Sequence, residues 1–323
     1  MKSVLIIRFS SFGDILQSLH VVLALKQTNP NIKISFLTKS VFEPLVRSCP
    51  YVDNVIVLKK KSGILELIKL ALLIRKNNFE LIYDAHKNIR TLLIKLINID
   101  NKILVRSKNR LKRILLFKFR KNYFPKPFVA ADSYLEPLNS LNIKDNYPCE
   151  SNNLFFKNTS EQYYGSIAIC PSAAWDTKRW PIEKWNKLIQ LIAENRSENI
   201  VILGGPEDDF CKDFEKISNK VTNLAGNLTL LQSCEVISKS KFVIAGDTGL
   251  IQVADILGKK GIELIGPSAF GYPKSDSIKV IETSLDCKPC SKDGSNGCSQ
   301  DIYKNCMQLI SVESVYSCLK NNI

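Results

Sequence analysis

The sequence predicts an α/β protein made of two Rossmann-like domains facing each other across a cleft. Short apolar runs suited to buried parallel strands alternate with amphipathic stretches at helical spacing. The alternation occurs twice, on either side of a polar, asparagine-bearing stretch at 142–161 that contains Pro148 and suits a linker. A length of 323 residues is that of about two domains. The expected division is a domain over 1–160, a second over 161–305 and a closing segment over 306–323, whose apolar positions from Val312 to Leu319 recur at helical spacing.

In chain order, residues 4–7 form the first apolar run. A polar turn with Gly13 follows over 8–14, and 15–26 has a helical pattern. Further strands are expected at 32–37, 55–58 and 81–83, with a helix over 64–75. The second series has strands at 167–170, 200–203, 242–245 and 262–265, and helices over 182–194, 207–217, 230–239 and 250–257. Around its third strand, Gly246-Asp247-Thr248-Gly249 joins a strand to a helix closed by Gly258. Asp247 and Thr248 are both N-cap residue types, and a helix N-terminus presents free N–H groups that suit an anion. An ordinary capped turn has the same local pattern. Ligands of such sheets bind outside the strand carboxyl ends, which points to the turn at 10–14, the loop at 171–180, and the turns at 204–207 and 246–249.

Composition narrows the partners. Lys and Arg total 45 against 31 acids, a formal charge of +14, so an anionic partner is expected: nucleic acid, a membrane surface or a phosphorylated substrate. There are ten cysteines, but the opening Met1–Arg8 reads as a strand rather than an export signal, so a cytoplasmic protein with reduced thiols is expected. No apolar stretch approaches the length of a membrane span. Neither half has Gly-x-Gly-x-x-Gly after its first strand, and there is no Walker loop, which disfavours nicotinamide and P-loop chemistry. Asp-x-Asp is also missing, so a bound diphosphate would rely on lysine, arginine and a helix end, with no metal or other cofactor expected.

Several turns, in order, resemble glycosyltransferase family 9, the lipopolysaccharide heptosyltransferases. They are Ser10-Ser11-Phe-Gly13-Asp14; Asp84-Ala-His86-Lys-Asn88-Ile-Arg90-Thr91; Pro171-Ser172-Ala173 through Lys178-Arg179-Trp180-Pro181; Gly204-Gly205-Pro-Glu207; Ala225-Gly226-Asn-Leu228-Thr229; and Gly246-Asp247-Thr248-Gly249 with Ile265-Gly266-Pro267. Cys287-x-x-Cys290, Cys298 and Cys306 look like the family's cysteine-rich tail. Four thiolates could hold zinc, but packing thiols are the preferred reading. The resemblance implies a GT-B fold in which the last helix returns to the N-terminal domain. It also implies inverting, metal-independent transfer of heptose from ADP-heptose to the Kdo/heptose inner core of lipopolysaccharide, in the cytoplasm at the inner membrane. Two positions depart from the family. Gln252 and Gln17 stand where it has histidine, and Gln252 cannot carry charge. This leaves open an altered-donor or non-catalytic relative that binds a nucleotide sugar.

The resemblance assigns roles, each beside a plainer alternative. Asp14 would be the general base, or merely an acid favouring a helix dipole. Lys178 and Arg179 would meet the departing diphosphate, or form a solvated pair before a helix. Ser172, Ala173, Asp247, Thr248, Gly249 and Gln252 would complete the donor site. Glu207 would take the ribose, or serve a helix dipole, and Leu228 would lie over adenine, or belong to the core. Ser10, Ser11, Gly13, His86 and Arg90 would meet the acceptor. From 101 to 131 there is no acid. Arg110, Lys112 and Arg113 there suit an acidic lipid-borne acceptor and an anionic membrane surface, or a solvated basic helix. No nucleic-acid-binding signature accompanies them.

Overall fold

The computed structural model describes residues 1–59, 63–143 and 161–323. The expected linker at 142–161 lies almost wholly outside them. By packing, the chain divides into two compact units: Met1–Asn109 with Ala131–Phe156, and Arg110–Ala130 with Lys157–Ile323.

The first unit runs β1 (Ser3–Ile7), α1 (Phe12–Thr28), β2 (Lys33–Lys39), α2 (Glu43–Arg47), β3 (Asn54–Leu58), α3 (Ile64–Lys76), β4 (Leu81–Asp84), α4 (Ile89–Ile97) and β5 (Lys102–Val105). After α5 (Arg110–Phe119), which packs with the second unit, α6 (Ala130–Leu135) belongs almost entirely to the first. All strand pairs are parallel, in the order β3-β2-β1-β4-β5. Helices α3 and α4 share a core with Leu5, Ile7 and Ile82 through Leu67, Ala71, Ile74 and Ile94.

The second unit runs β6 (Ile167–Cys170), α7 (Ile182–Asn195), β7 (Ile200–Ile202), β8 (Val221–Asn223), α8 (Leu230–Lys239), β9 (Phe242–Gly246), α9 (Gly249–Ile256), β10 (Gly261–Ile265), β11 (Ile278–Glu282), α10 (Asn305–Gln308) and α11 (Val312–Asn322). Its sheet, also parallel, has the order β11-β10-β9-β6-β7-β8. Trp180 and Trp185 meet edge to face at 5.0 Å in its core. Val312, Val315 and Leu319 of α11 are buried in the same core. Packing thus groups 306–323 with the second unit, whereas the sequence reading sent its helix back to the first domain; residues 110–130 are likewise grouped with the second unit.

The elements depart from expectation in ways that have physical causes. Helix α1 begins at Phe12, three residues early, because Asp14 accepts hydrogen bonds from the Ser11 backbone N–H (3.2 Å) and hydroxyl (2.8 Å) and fixes the entry turn. The expected helix at 207–217 is a 3-10 helix, Asp209–Lys216. Its buried residues, Cys211 and Phe214, are three apart and suit three residues per turn. The strands that sequence reading passed over, β5, β8 and β11, are all sheet edges of three to five residues. An edge strand is covered less on its faces and shows a weaker apolar run.

Candidate active site

Each sheet has one point where strand order reverses, and a crevice opens there at the strand carboxyl ends. In the first unit the reversal lies between β1 and β4. Arg8 follows β1 and Asp84 ends β4. Arg8 is buried, donates to the Ala85 carbonyl at 2.7 Å and forms an ion pair with Asp14. The Tyr134 hydroxyl donates to the other Asp14 oxygen at 2.6 Å. Arg106, bonded to the Ser133 hydroxyl at 2.7 Å, lies 3.6 Å from the centre of the Tyr134 ring. Burial raises the Asp14 pKa, but Arg8, Tyr134, Ser11 and Arg106 outweigh it and hold the carboxyl at about 2. The side chain keeps 36% of its exposure, so this is an ionised carboxylate with access to a ligand. His86 stands at the end of β4, edge-on to Phe9 at 5.2 Å. Burial, then Arg8 and Lys108, lower its pKa to about 4, so the imidazole is neutral at pH 7. Its Nδ1 is buried without a partner among the described residues.

In the second unit the reversal lies between β6 and β9. The loop after β6 carries Lys178 and the turn after β9 carries Asp247, and they form an ion pair of 2.7 Å with 12% and 15% side-chain exposure. Ser268 donates to the same carboxylate. Two glycines make room for the pair. A Cβ on Gly271 would fall 2.5 Å from the Asp247 carboxylate carbon, and one on Gly294 (φ +92°) would fall 2.8 Å from the Lys178 stem. Thr248 is the N-cap of α9 but makes no capping bond, and its hydroxyl is buried without a partner among the described residues. The helix start and this hydroxyl thus adjoin a lysine, an arrangement that suits a phosphate. Arg179 donates to the Ala173 carbonyl at 2.9 Å and pairs with buried Asp208 at 3.5 Å. It lines a recess of about 320 Å³ with Pro171, Trp180 and Phe210. Asp208 lines another, of about 170 Å³, with Gly205, Ala225 and Gly226. Ser268 opens on a larger cavity, about 750 Å³, walled by Phe124, Phe128 and Phe270.

The family model for glycosyltransferase family 9 (heptosyltransferase) matches residues 67–300. The chain belongs to glycosyltransferase family 9. It is 24% identical to lipopolysaccharide heptosyltransferase 1 of Campylobacter coli over 86% of this chain and 88% of that one. It is 33% identical to lipopolysaccharide heptosyltransferase 2 of Escherichia coli K12 over about a third of each. Its fold resembles that of the E. coli heptosyltransferase WaaC solved with ADP-2-deoxy-2-fluoro heptose, with TM-score 0.73 at 20% identity over 99% of this chain and 100% of that one. The protein is therefore a glycosyltransferase, and its two parallel sheets form a GT-B architecture.

Against this family background the expected site residues fall into three groups. Asp14, Ser10, Ser11, Gly13 and His86 come together at the first reversal, and Lys178, Asp247, Thr248 and Gly249 at the second. Ser172 and Ala173 lie in the loop after β6, and Leu228 is half-buried in the turn before α8. Arg90 is exposed on α4, while Arg110, Lys112 and Arg113 belong to the second unit by packing. Arg113 is half-buried, its guanidinium 4.9 Å from the Phe270 ring centre. Glu207 is exposed, and its neighbour Asp208 is the buried acid, accepting from the Gly205 N–H at 2.6 Å. Gln252 is buried and donates to the Gly271 carbonyl at 3.1 Å. Sequence reading did not single out Arg8, Arg106 or Tyr134. Arg8 had a signal, a charge directly after a wholly apolar strand; Tyr134 lies 120 residues from Asp14 and had none. Cys287, Cys290, Cys298 and Cys306 line one cavity of about 10 Å³. Among the described residues no group of three or more His, Cys, Asp or Glu could hold a metal ion.

Proposed function

We propose that this glycosyltransferase moves a heptose from ADP-heptose to the Kdo/heptose inner core of lipopolysaccharide, with inversion and without a metal. The observation that carries the proposal is the second reversal point, where Lys178 adjoins the start of α9 and an unpartnered, buried Thr248 hydroxyl. The names of the similar proteins support heptose, and the WaaC structures in complex with ADP and an ADP-heptose analogue support the nucleotide.

In the reaction, Asp14 takes the proton of the acceptor hydroxyl as its oxygen forms a bond to the anomeric carbon. The bond from that carbon to the diphosphate breaks, and ADP leaves with the electron pair. Lys178 turns from Asp247 towards the departing phosphate, where negative charge grows most in the transition state. Neutral His86 and buried Arg8 flank the acceptor hydroxyl, and Arg8 keeps Asp14 ionised. Glu207 or Asp208 meets the ribose and Leu228 the adenine. The acceptor is anionic and lipid-borne, so the enzyme works peripherally on the cytoplasmic face of the inner membrane, and no helix among the described residues is long and apolar enough to cross it. Incubation with ADP-heptose and Kdo-lipid A in EDTA should yield ADP and a heptosylated lipid in equal amounts. ADP formation that depends on added divalent metal, or none at all, would overturn the reading. Gln252 favours a second reading, a different nucleotide sugar, because its amide is engaged by Gly271 and carries no charge; turnover with another donor alone would establish it.

A further inference from the structure

The outer surface of the α3–α4 layer is apolar where a soluble face would be polar. On α3, Leu65, Lys69, Leu72 and Lys76 follow one another at helical spacing on the side opposite buried Leu67, Ala71 and Ile74. On α4, Ile89, Leu92 and Leu96 form a similar stripe opposite buried Thr91 and Ile94. With Leu73, these six aliphatic side chains are between 50 and 83% exposed. The two helices are locked as neighbours. Buried Asn98 donates to the Ala71 carbonyl at 3.1 Å, and Arg75 reaches the Ile97 carbonyl at 3.1 Å and Asp100 at 2.8 Å. The stripes therefore lie side by side on one sheet face. Adjoining exposed aliphatic side chains rimmed by polar ones mark a contact surface.

Charge identifies the contact. Lys69, Lys76, Lys87 and Arg90 are exposed on or beside the stripes. The exposed acids of the two helices and their ends, Glu66 and Asp100, are paired with Lys59 and Arg75. An aliphatic surface with a basic rim suits a helix lying in the plane of an anionic bilayer. A second copy suits it less, because a twofold contact would set the same lysines against each other. We propose that the outer face of α3 and α4 docks on the anionic lipid surface. The inference rests on the reading of a lipid-borne acceptor, and it moves the main membrane contact from the acid-free stretch at 101–131 with Arg110, Lys112 and Arg113 to these helices.

The test is co-sedimentation of the full chain with phosphatidylglycerol-containing and with pure phosphatidylcholine vesicles, neither holding any acceptor. Leu65→Ser/Ile89→Ser/Leu96→Ser should lower partitioning at least 30-fold, roughly the loss of three inserted aliphatic groups. Lys69→Gln/Lys76→Gln should lower it about fivefold per lysine on the anionic vesicles only, with weaker salt dependence. All five positions are exposed, and unchanged melting would show that the fold is intact. Variants that bind as the wild type does would overturn the proposal. So would Lys112→Glu abolishing binding while these variants retain it, or a wild-type dimer in sedimentation velocity that the leucine variant dissolves without changing vesicle binding. Turnover on a soluble, deacylated acceptor would be unaffected by docking, so its failure would count against the proposed activity and not against this surface.

Discussion

The two strand-order reversals use the same topology to hold opposite charges, and they hold them differently. At the first, Asp14 is clamped by Arg8, Tyr134 and Ser11 but keeps a third of its exposure, so its ionisation is fixed while part of the side chain stays open. At the second, Lys178 and Asp247 neutralise each other in a pocket from which most water is excluded. In the proposed reaction the group that accepts a proton is kept charged, and the group that meets the anionic donor is kept paired until that anion replaces its partner, because an unpaired charge at such depth would be costly.

The comparison breaks most visibly at Asp14. Asp14→Asn should lose roughly 10²–10⁴-fold in turnover, the usual worth of a general base, with ADP affinity unchanged by calorimetry. Near-normal turnover would move the base to His86. Because the Asp14 carboxyl is held at about 2, below the ordinary range, its contribution to stability is present above that range and is lost as pH falls through the folded value. Melting of wild type and Asp14→Asn should therefore draw together as pH falls from about 4 and converge only below about pH 2.

At the second site Lys178→Ala should weaken ADP binding by about 1.5–3 kcal/mol, the scale of a charge-assisted hydrogen bond, equally with and without EDTA. Gly294→Ala tests whether the lysine is seated by its surroundings. The added methyl meets the Lys178 stem at a backbone angle that side chains avoid, so a loss of about 1–2 kcal/mol in stability with weaker ADP binding is expected in a melting series. The smallest effect sharpens the electrostatic picture. Glu263, in the middle of β10, is fully buried, and both oxygens lack a partner among the described residues. Burial first, then Asp247 and Asp255, push its pKa well above the ordinary range, with Lys178 opposing. An acid raised in the folded state loses stability as pH rises above its unfolded value. Glu263→Leu should therefore gain about 1 kcal/mol at pH 8 and less towards pH 5, in paired thermal melts.

Much of this was present in the chain itself. The apolar runs at 4–7, 167–170 and 242–245 became the central strands, because strands covered on both faces must be apolar throughout. Gly246-Asp247-Thr248-Gly249 became the turn from β9 into α9, because a glycine turn and a helix start are local chemistry. The 3-10 helix at 209–216 and the edge strands were not legible, since packing rather than periodicity shapes them.

The sequence by itself determined the two parallel α/β series, the family and the identity of the two charges, Asp14 and Lys178. Tertiary structure alone decided what each charge faces. Tyr134 and Arg106 reach Asp14 only once β5 has paired with β4 and Tyr83 of β4 has bonded the Tyr134 carbonyl, and Asp247 meets Lys178 only across the β6–β9 reversal. It also decided that the leucines of α3 and α4 face outward, because helical periodicity shows that a helix has two sides but only the sheet beneath selects the buried one.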